Sequence, residues 1–247
     1  MKKIFTNKKI IIPLCVVLAL AIAGGALVFF RYYKPMNIYM FHSVSDTPIS
    51  SDTDLSVTTE NFENFLSELT KHSHGGFLGE YSEYYITFDD GYEDNYTNAF
   101  PLLQKYNVKA TIFVVTSLIG KDGYCSAEQL YEMAHSGLVS VQSHGVSHTD
   151  LTTLSDTEIL TELVVSHDEL ERITDSKIYA FSYPNGGYND TVLELIGQSG
   201  IYTHAVSTKT PNWSRSQDLF ALPRTGVLSG AKYSQMMGKI NFYELFN

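Results

Sequence analysis

The chain has 247 residues, enough for one domain with a substantial core plus an appendage. From Pro35 to Asn247 it carries 11 Lys+Arg against all 27 Asp+Glu, a formal charge of −16. That argues against holding nucleic acid or an anionic membrane surface by bulk electrostatics, and suits a neutral or cationic polymer.

Residues Ile10 to Phe30 form an uncharged run of 21, long enough to span a bilayer. Lys2, Lys3, Lys8 and Lys9 precede it, and only Arg31 and Lys34 follow, which puts the N-terminus in the cytoplasm. Ala21-Ile22-Ala23 offers a cleavage site, but the apolar run continues to Phe30, which favours an uncleaved anchor. Cys15 follows Pro13-Leu14 where a lipoprotein signal needs small residues. The expected organisation is therefore a cytoplasmic N-terminus and transmembrane signal anchor over 1–34 and one extracellular domain over 35–247, a monomer. Cys125 is alone in that domain, so it has no intrachain disulfide partner, and a core of this size outside the cell needs none.

Along the domain, Asn37–Phe41 reads as a strand and Ser56–Lys71 as an amphipathic helix with Phe62, Phe65, Leu66 and Leu69 on one face. His72–Gly79 is a loop and Tyr84–Phe88 a strand. Asn95–Tyr106 fits a helix despite Pro101, and Lys109–Val115 is a β-branched strand. Ser126–His135 opens on a capping-box pattern, Ser126 with Gln129, and Gly137 suits its end. Leu138–Gln142 is a strand. Ser155 with Glu158 opens a helix running to about Ile173. Ile178–Tyr183, Asp190–Gln198 and Ile201–Val206 read as strand, helix and strand, with Gly200 ending that helix. Strands alternating with helices imply parallel pairing through right-handed crossovers, in an open sheet or a barrel. In such folds the carboxyl ends of the strands carry the site.

Two of those ends carry chemistry. Thr87-Phe88-Asp89-Asp90-Gly91-Tyr92 places adjacent carboxylates after an apolar run; it is either a polar turn or a metal ligand beside a base. His144-Gly145-Val146-Ser147-His148 follows Leu138–Val141. Two histidines plus one carboxylate make a three-ligand set that leaves positions open for water and substrate.

Together with Phe181-Ser182-Tyr183-Pro184-Asn185-Gly186, these motifs resemble the NodB-like polysaccharide deacetylases, carbohydrate esterase family 4, over roughly Asn37 to Val227. The resemblance implies a distorted, incomplete (β/α) barrel, the NodB homology fold, with about seven strands. It implies a metal-dependent amidohydrolase that removes N-acetyl groups from an extracellular amino-sugar polysaccharide. Asp89 would be the base, and Asp90, His144 and His148 would hold the metal. The N–H of Asn185, in the Tyr183–Gly186 stretch that faces substrate, would meet the oxyanion. Zn2+ is the default ion, with Co2+, Ni2+ or Fe2+ compatible with the ligand types.

The chain departs from the larger group in two places. Ser182 stands where many members have an arginine that orients the base, and no histidine follows His204 to serve as acid. Both departures resemble the poly-β-1,6-N-acetylglucosamine deacetylases, whose site histidine comes from the first strand. Met40-Phe41-His42-Ser43-Val44 matches that element, which implies His42 as the acid. Leu222–Val227 resembles that branch's closing element, with Arg224 either replacing the missing arginine against Asp89 or forming a surface ion pair. Trp213 and Tyr188 either stack on sugar rings or are simply half-buried, and His72, His74, His135, His167 and His204 read as structural or surface. Peptidoglycan and chitin-like polymers present the same acetamide. The alternatives are a catalytically impaired, membrane-tethered glycan-binding module and a non-haem Fe(II) oxygenase.

Overall fold

A computed structural model of the protein describes residues 36–47, 55–73, 83–208 and 218–229. The expected anchor over 1–34, His74 and most of its loop, and Trp213 lie outside the described residues. Among the described residues no helix is long and apolar enough to cross a membrane.

The order is β1 (Met36–Phe41), β2 (Ser43–Val44), β3 (Ser56–Val57), α1 (Thr59–Ser73), β4 (Glu83–Phe88), α2 (Phe100–Tyr106), β5 (Ala110–Val114), α3 (Ala127–His135), β6 (Val139–Ser143), α4 (Asp156–Thr174), β7 (Ala180–Ser182), α5 (Asp190–Ser199), β8 (His204–Val206) and β9 (Thr225–Gly226). Seven strands form one sheet in the order β8-β7-β6-β5-β4-β1-β9, every pair parallel. The sheet curls into a half-barrel with helices on its convex side. Phe41 opposite Phe88, and Phe88 opposite Ile112, fix the register. Because the strands run the same way, the residues just after β1, β4, β6 and β7 all reach one rim.

Period-two alternation divides the strands between two cores. On the convex side, Phe41 meets Phe62 and Phe65 edge to face with ring centroids at 5.2 Å, and Phe62 meets Phe88 at 5.6 Å. Such aromatic pairs add about 0.5–1.5 kcal/mol each beyond area burial. The concave side holds a small plug of Ile38, Phe113, Ala180, Val206 and Leu222.

Both capping boxes form, at Ser126/Gln129 and Ser155/Glu158, and Gly200 ends α5 at φ +68°. Pro101 falls in the first turn of α2, where a missing N–H costs nothing, after a π-helical turn over Asn95–Ala99. Of the boundaries that differ from expectation, two have a visible cause. Helix α1 starts at Thr59, because Ser56–Val57 pair with Ser43–Val44 in a two-stranded ribbon. Residues 201–203 stay outside β8, and Tyr202 turns into the core to donate to the Leu163 carbonyl at 2.8 Å.

The last described segment joins the two edges of the sheet. Ser207 N–H donates to the Leu222 carbonyl and Leu222 N–H to the Ala205 carbonyl, beside β8. Three residues on, Thr225 and Gly226 pair with Tyr39 and Met40 of β1. Arg224 lies between these attachments, fully buried.

Candidate active site

Asp89 directly follows β4, and its N–H donates to the Phe41 carbonyl at 3.0 Å, which ties it to the end of β1. Its side chain is 2% exposed. Arg224 meets it in a two-pronged pair, Nη1 to Oδ1 at 2.7 Å and Nη2 to Oδ2 at 2.6 Å. The same guanidinium donates to Thr87 Oγ1, Ser182 Oγ and the Ser207 carbonyl, at 3.0, 2.9 and 3.1 Å. Ser182 Oγ in turn donates to Asp89 Oδ2 at 3.1 Å. Burial alone would raise the Asp89 pKa, but the charges of Arg224 and His144 outweigh it and hold the carboxyl below the usual range. Of the two readings of Arg224, the surface ion pair is excluded, because both groups are buried. Ser182, read as a loss of arginine, leaves room for a guanidinium that arrives from the other end of the domain.

Asp90 follows at φ +73°, a left-handed conformation that turns its carboxyl away from Asp89's partners. His144 leaves β6 with its N–H on the Val114 carbonyl, and His148 closes the loop at φ +61°. Asp90 Oδ1 lies 3.5 Å from His144 Nε2 and 3.3 Å from His148 Nε2. The three ligand atoms fall within 4.8 Å of one another. His144 Nδ1 contacts the Ser182 carbonyl at 2.7 Å, so Nδ1 carries a proton and the ring is held with Nε2 facing Asp90, where the neutral imidazole would offer its lone pair to a cation. Burial opposes ionisation of Asp90, yet the nearby His144 and His148 rings hold its carboxyl far below the usual range. An ionised carboxylate and two imidazole nitrogens, one tautomer fixed from behind, fit a divalent cation. The side chain of His148 is 35% exposed, so this end is open to solvent.

His42, just past β1, is near enough for its charge to act on both carboxylates. Its Nδ1 is buried and meets no partner among the described residues. Beneath it, Asn95 Nδ2 donates to the His42 carbonyl at 2.8 Å. Asn185 lies exposed at φ +56° in the turn after β7. Tyr183 differs from its expected place facing substrate: its ring is 1% exposed and its hydroxyl donates to the Phe220 carbonyl at 2.9 Å, so it supports the turn from below. Tyr188 packs on Tyr183, with centroids at 5.3 Å. His135, His167 and His204 take partners away from the site, on Tyr131, Asp168 and Thr203.

One residue went unread in the sequence. Tyr92 stacks on Tyr124 with centroids at 5.2 Å, close enough to Asp90 for the carboxylate to raise its hydroxyl pKa after burial does. Its place at the end of the Asp-Asp-Gly-Tyr turn was the available signal.

Comparison with known proteins agrees with this geometry. Residues 80–204 match the family model described as polysaccharide deacetylase. Bacillus subtilis YxkH, named for that family, is 38% identical over 145 residues, 59% of this chain and 51% of its own. A poly-beta-1,6-N-acetyl-D-glucosamine N-deacetylase of Staphylococcus aureus is 31% identical over 144 residues, 52% of this chain and 50% of its own. The chain thus spans about half the length of the curated relatives it matches. The solved structure of the Streptococcus pyogenes deacetylase PplD, in complex with acetate, superposes with a TM-score of 0.74 at 26% identity, covering 85% of this chain and 100% of that one.

Proposed function

We propose a function from one premise: the chain belongs to the polysaccharide deacetylase family. On this reading it hydrolyses the acetamide of an extracellular N-acetylglucosamine polymer, releasing acetate and leaving a free amine. The observation that carries it is a fully ligated buried base, Asp89 on Arg224, beside an Asp90-His144-His148 set.

A divalent cation on Asp90, His144 and His148, Zn2+ by default with Co2+, Ni2+ or Fe2+ compatible, supplies Lewis acidity that acidifies water and polarises the acetamide carbonyl. The residues do the rest. Asp89 accepts the proton of the water whose oxygen bonds to the acetyl carbon, and Arg224 keeps the carboxylate ionised and aimed. The N–H of Asn185 donates to the developing oxyanion. The C–N bond then breaks, and His42 gives its proton to the leaving nitrogen, which amide cleavage requires. One ground for the glycan-binding module, the arginine missing at Ser182, is weakened by Arg224 pairing with Asp89.

Poly-β-1,6-N-acetylglucosamine is the favoured polymer, supported by the Staphylococcus aureus relative and by the Met40–Val44 element. The protein works as a monomer, held outside the cell by residues 10–30 as a single-pass anchor. The test is acetate release by the full-length protein from poly-N-acetylglucosamine, peptidoglycan and chitin oligomers, with chelator and after Zn2+ is restored. Chelator-sensitive release, fastest from the first, is expected. No release from any polymer with metal bound would restore the binding-module reading.

A further inference from the structure

Helix α4 buries Ile159, Leu163, Ser166, Leu170 and Thr174 along one stripe, and Glu162 sits within that stripe at 8% exposure. A carboxylate at a core position is costly unless donors meet it. Here they come from the segment between the two histidines. Glu162 Oε2 accepts the N–H of Val146 at 2.6 Å and of Ser147 at 3.0 Å, and Oε1 accepts the Ser147 hydroxyl at 2.6 Å.

The other side of the same loop is held by the chain after β5. Thr116 N–H donates to the Gly145 carbonyl and Ser117 N–H to the Val146 carbonyl, at 3.1 and 3.0 Å. Gly145 N–H goes to Ser143 Oγ. The polar backbone groups that turn the chain between the two ligands are therefore held from both sides, and on the helix α4 side Glu162 is the acceptor for Val146 and Ser147. The composition of the loop follows. Gly145 sits at φ +79°, and a Cβ there would stand 2.8 Å from Glu162 Oε2, so a larger residue would push the carboxylate out.

We propose that Glu162 is a positioning residue for metal capture: it holds His144 and His148 in ligand geometry before the ion arrives. The carboxylate touches neither ion nor substrate; it acts through the loop. The inference rests on the metal-site reading above.

The test is Zn2+ affinity of the full-length chain, by competition with a chelator, for wild type, Glu162→Ala and Glu162→Gln. Alanine removes all three acceptor contacts, and affinity should fall roughly 10–100-fold, the usual effect of losing a partner behind a metal ligand. Glutamine keeps an oxygen for the two backbone donors and an NH2 group for Ser147 Oγ, so affinity should stay within about 3-fold of wild type. A folded alanine variant that binds Zn2+ as wild type does overturns the proposal and leaves the metal site standing. Wild type that binds no Zn2+ overturns both. If the alanine variant does not fold, Ser147→Ala, which removes only the hydroxyl arm, decides: several-fold weaker binding supports the proposal, and unchanged binding ends it.

Discussion

Asp89 and Asp94 are two buried carboxylates on one turn of chain, 2% and 5% exposed, and their surroundings push them in opposite directions. Asp89 meets a guanidinium and stays ionised well below the usual range. Asp94 meets only neutral donors, Ser43 Oγ at 2.5 Å and Asn95 Nδ2 at 3.0 Å, and burial raises its pKa. Similar burial thus yields a charged carboxylate in one place and a carboxyl that resists charge in the other. The deciding quantity is whether the partner carries charge, not how many hydrogen bonds there are.

Substitutions that remove that difference test it. The largest effect is expected from Asp89→Asn: acetate release falls about 10²–10⁴-fold, the usual contribution of a base, while Zn2+ affinity stays near wild type. The same change strands Arg224 in the interior and should cost about 3–5 kcal/mol by denaturant unfolding at pH 7. Because the folded pKa of Asp89 is depressed, its stabilisation is present above the unfolded value of about 3.9 and lost as pH falls through the folded pKa. The gap between wild type and variant should therefore narrow in acid.

Next in size is Arg224→Met, which leaves Asp89 in the situation of Asp94. A loss of about 3–5 kcal/mol is expected alone. The Asp89→Asn, Arg224→Met double variant should lose less than the sum, and strict additivity in the cycle would break the comparison.

Asp94→Asn should have the opposite sign. A raised folded pKa stabilises below the unfolded value of about 3.9, and that advantage is lost as pH rises through the folded pKa. At pH 7 the wild type bears this cost and the variant does not, so the variant should melt higher at pH 7 and converge on wild type near pH 4. A lower melting point at pH 7 would show that Asp94 is compensated after all.

The smallest effect concerns Cys125, whose thiol is pushed up to about 12 by burial and by the charges of Asp94 and Glu93. In a Cys15→Ser background it should react with a disulfide reagent at pH 8 only after unfolding. Fast labelling of the folded protein would mean that this region opens.

Much of this was legible in the sequence because it is local. The alternating strands, the two capping boxes and the motifs after β4 and β6 are patterns a few residues long, and parallel pairing carries them to one rim. What escaped was set by distant partners. Arg224 lies 135 residues from Asp89; its pairing there was one of two readings left open, because no local pattern tells a buried guanidinium from an exposed one. Strand β9 spans two residues, too few for a period to show. Tyr183 was placed facing substrate because its motif is there, but the direction of its ring depends on Phe220 accepting its hydroxyl.

The segment from Leu222 to Gly226 that joins the sheet edges has a consequence for synthesis. On the ribosome, at roughly 5–20 residues per second, Arg224 emerges roughly 7–27 s after Asp89. Through that interval strands β4 to β8 can pair, and the ligand set can gather, around a carboxylate with no counter-charge. On the reading proposed above, the nascent domain gathers its ligand set before its base has a counter-charge, and that charge arrives with β9, the last strand among the described residues.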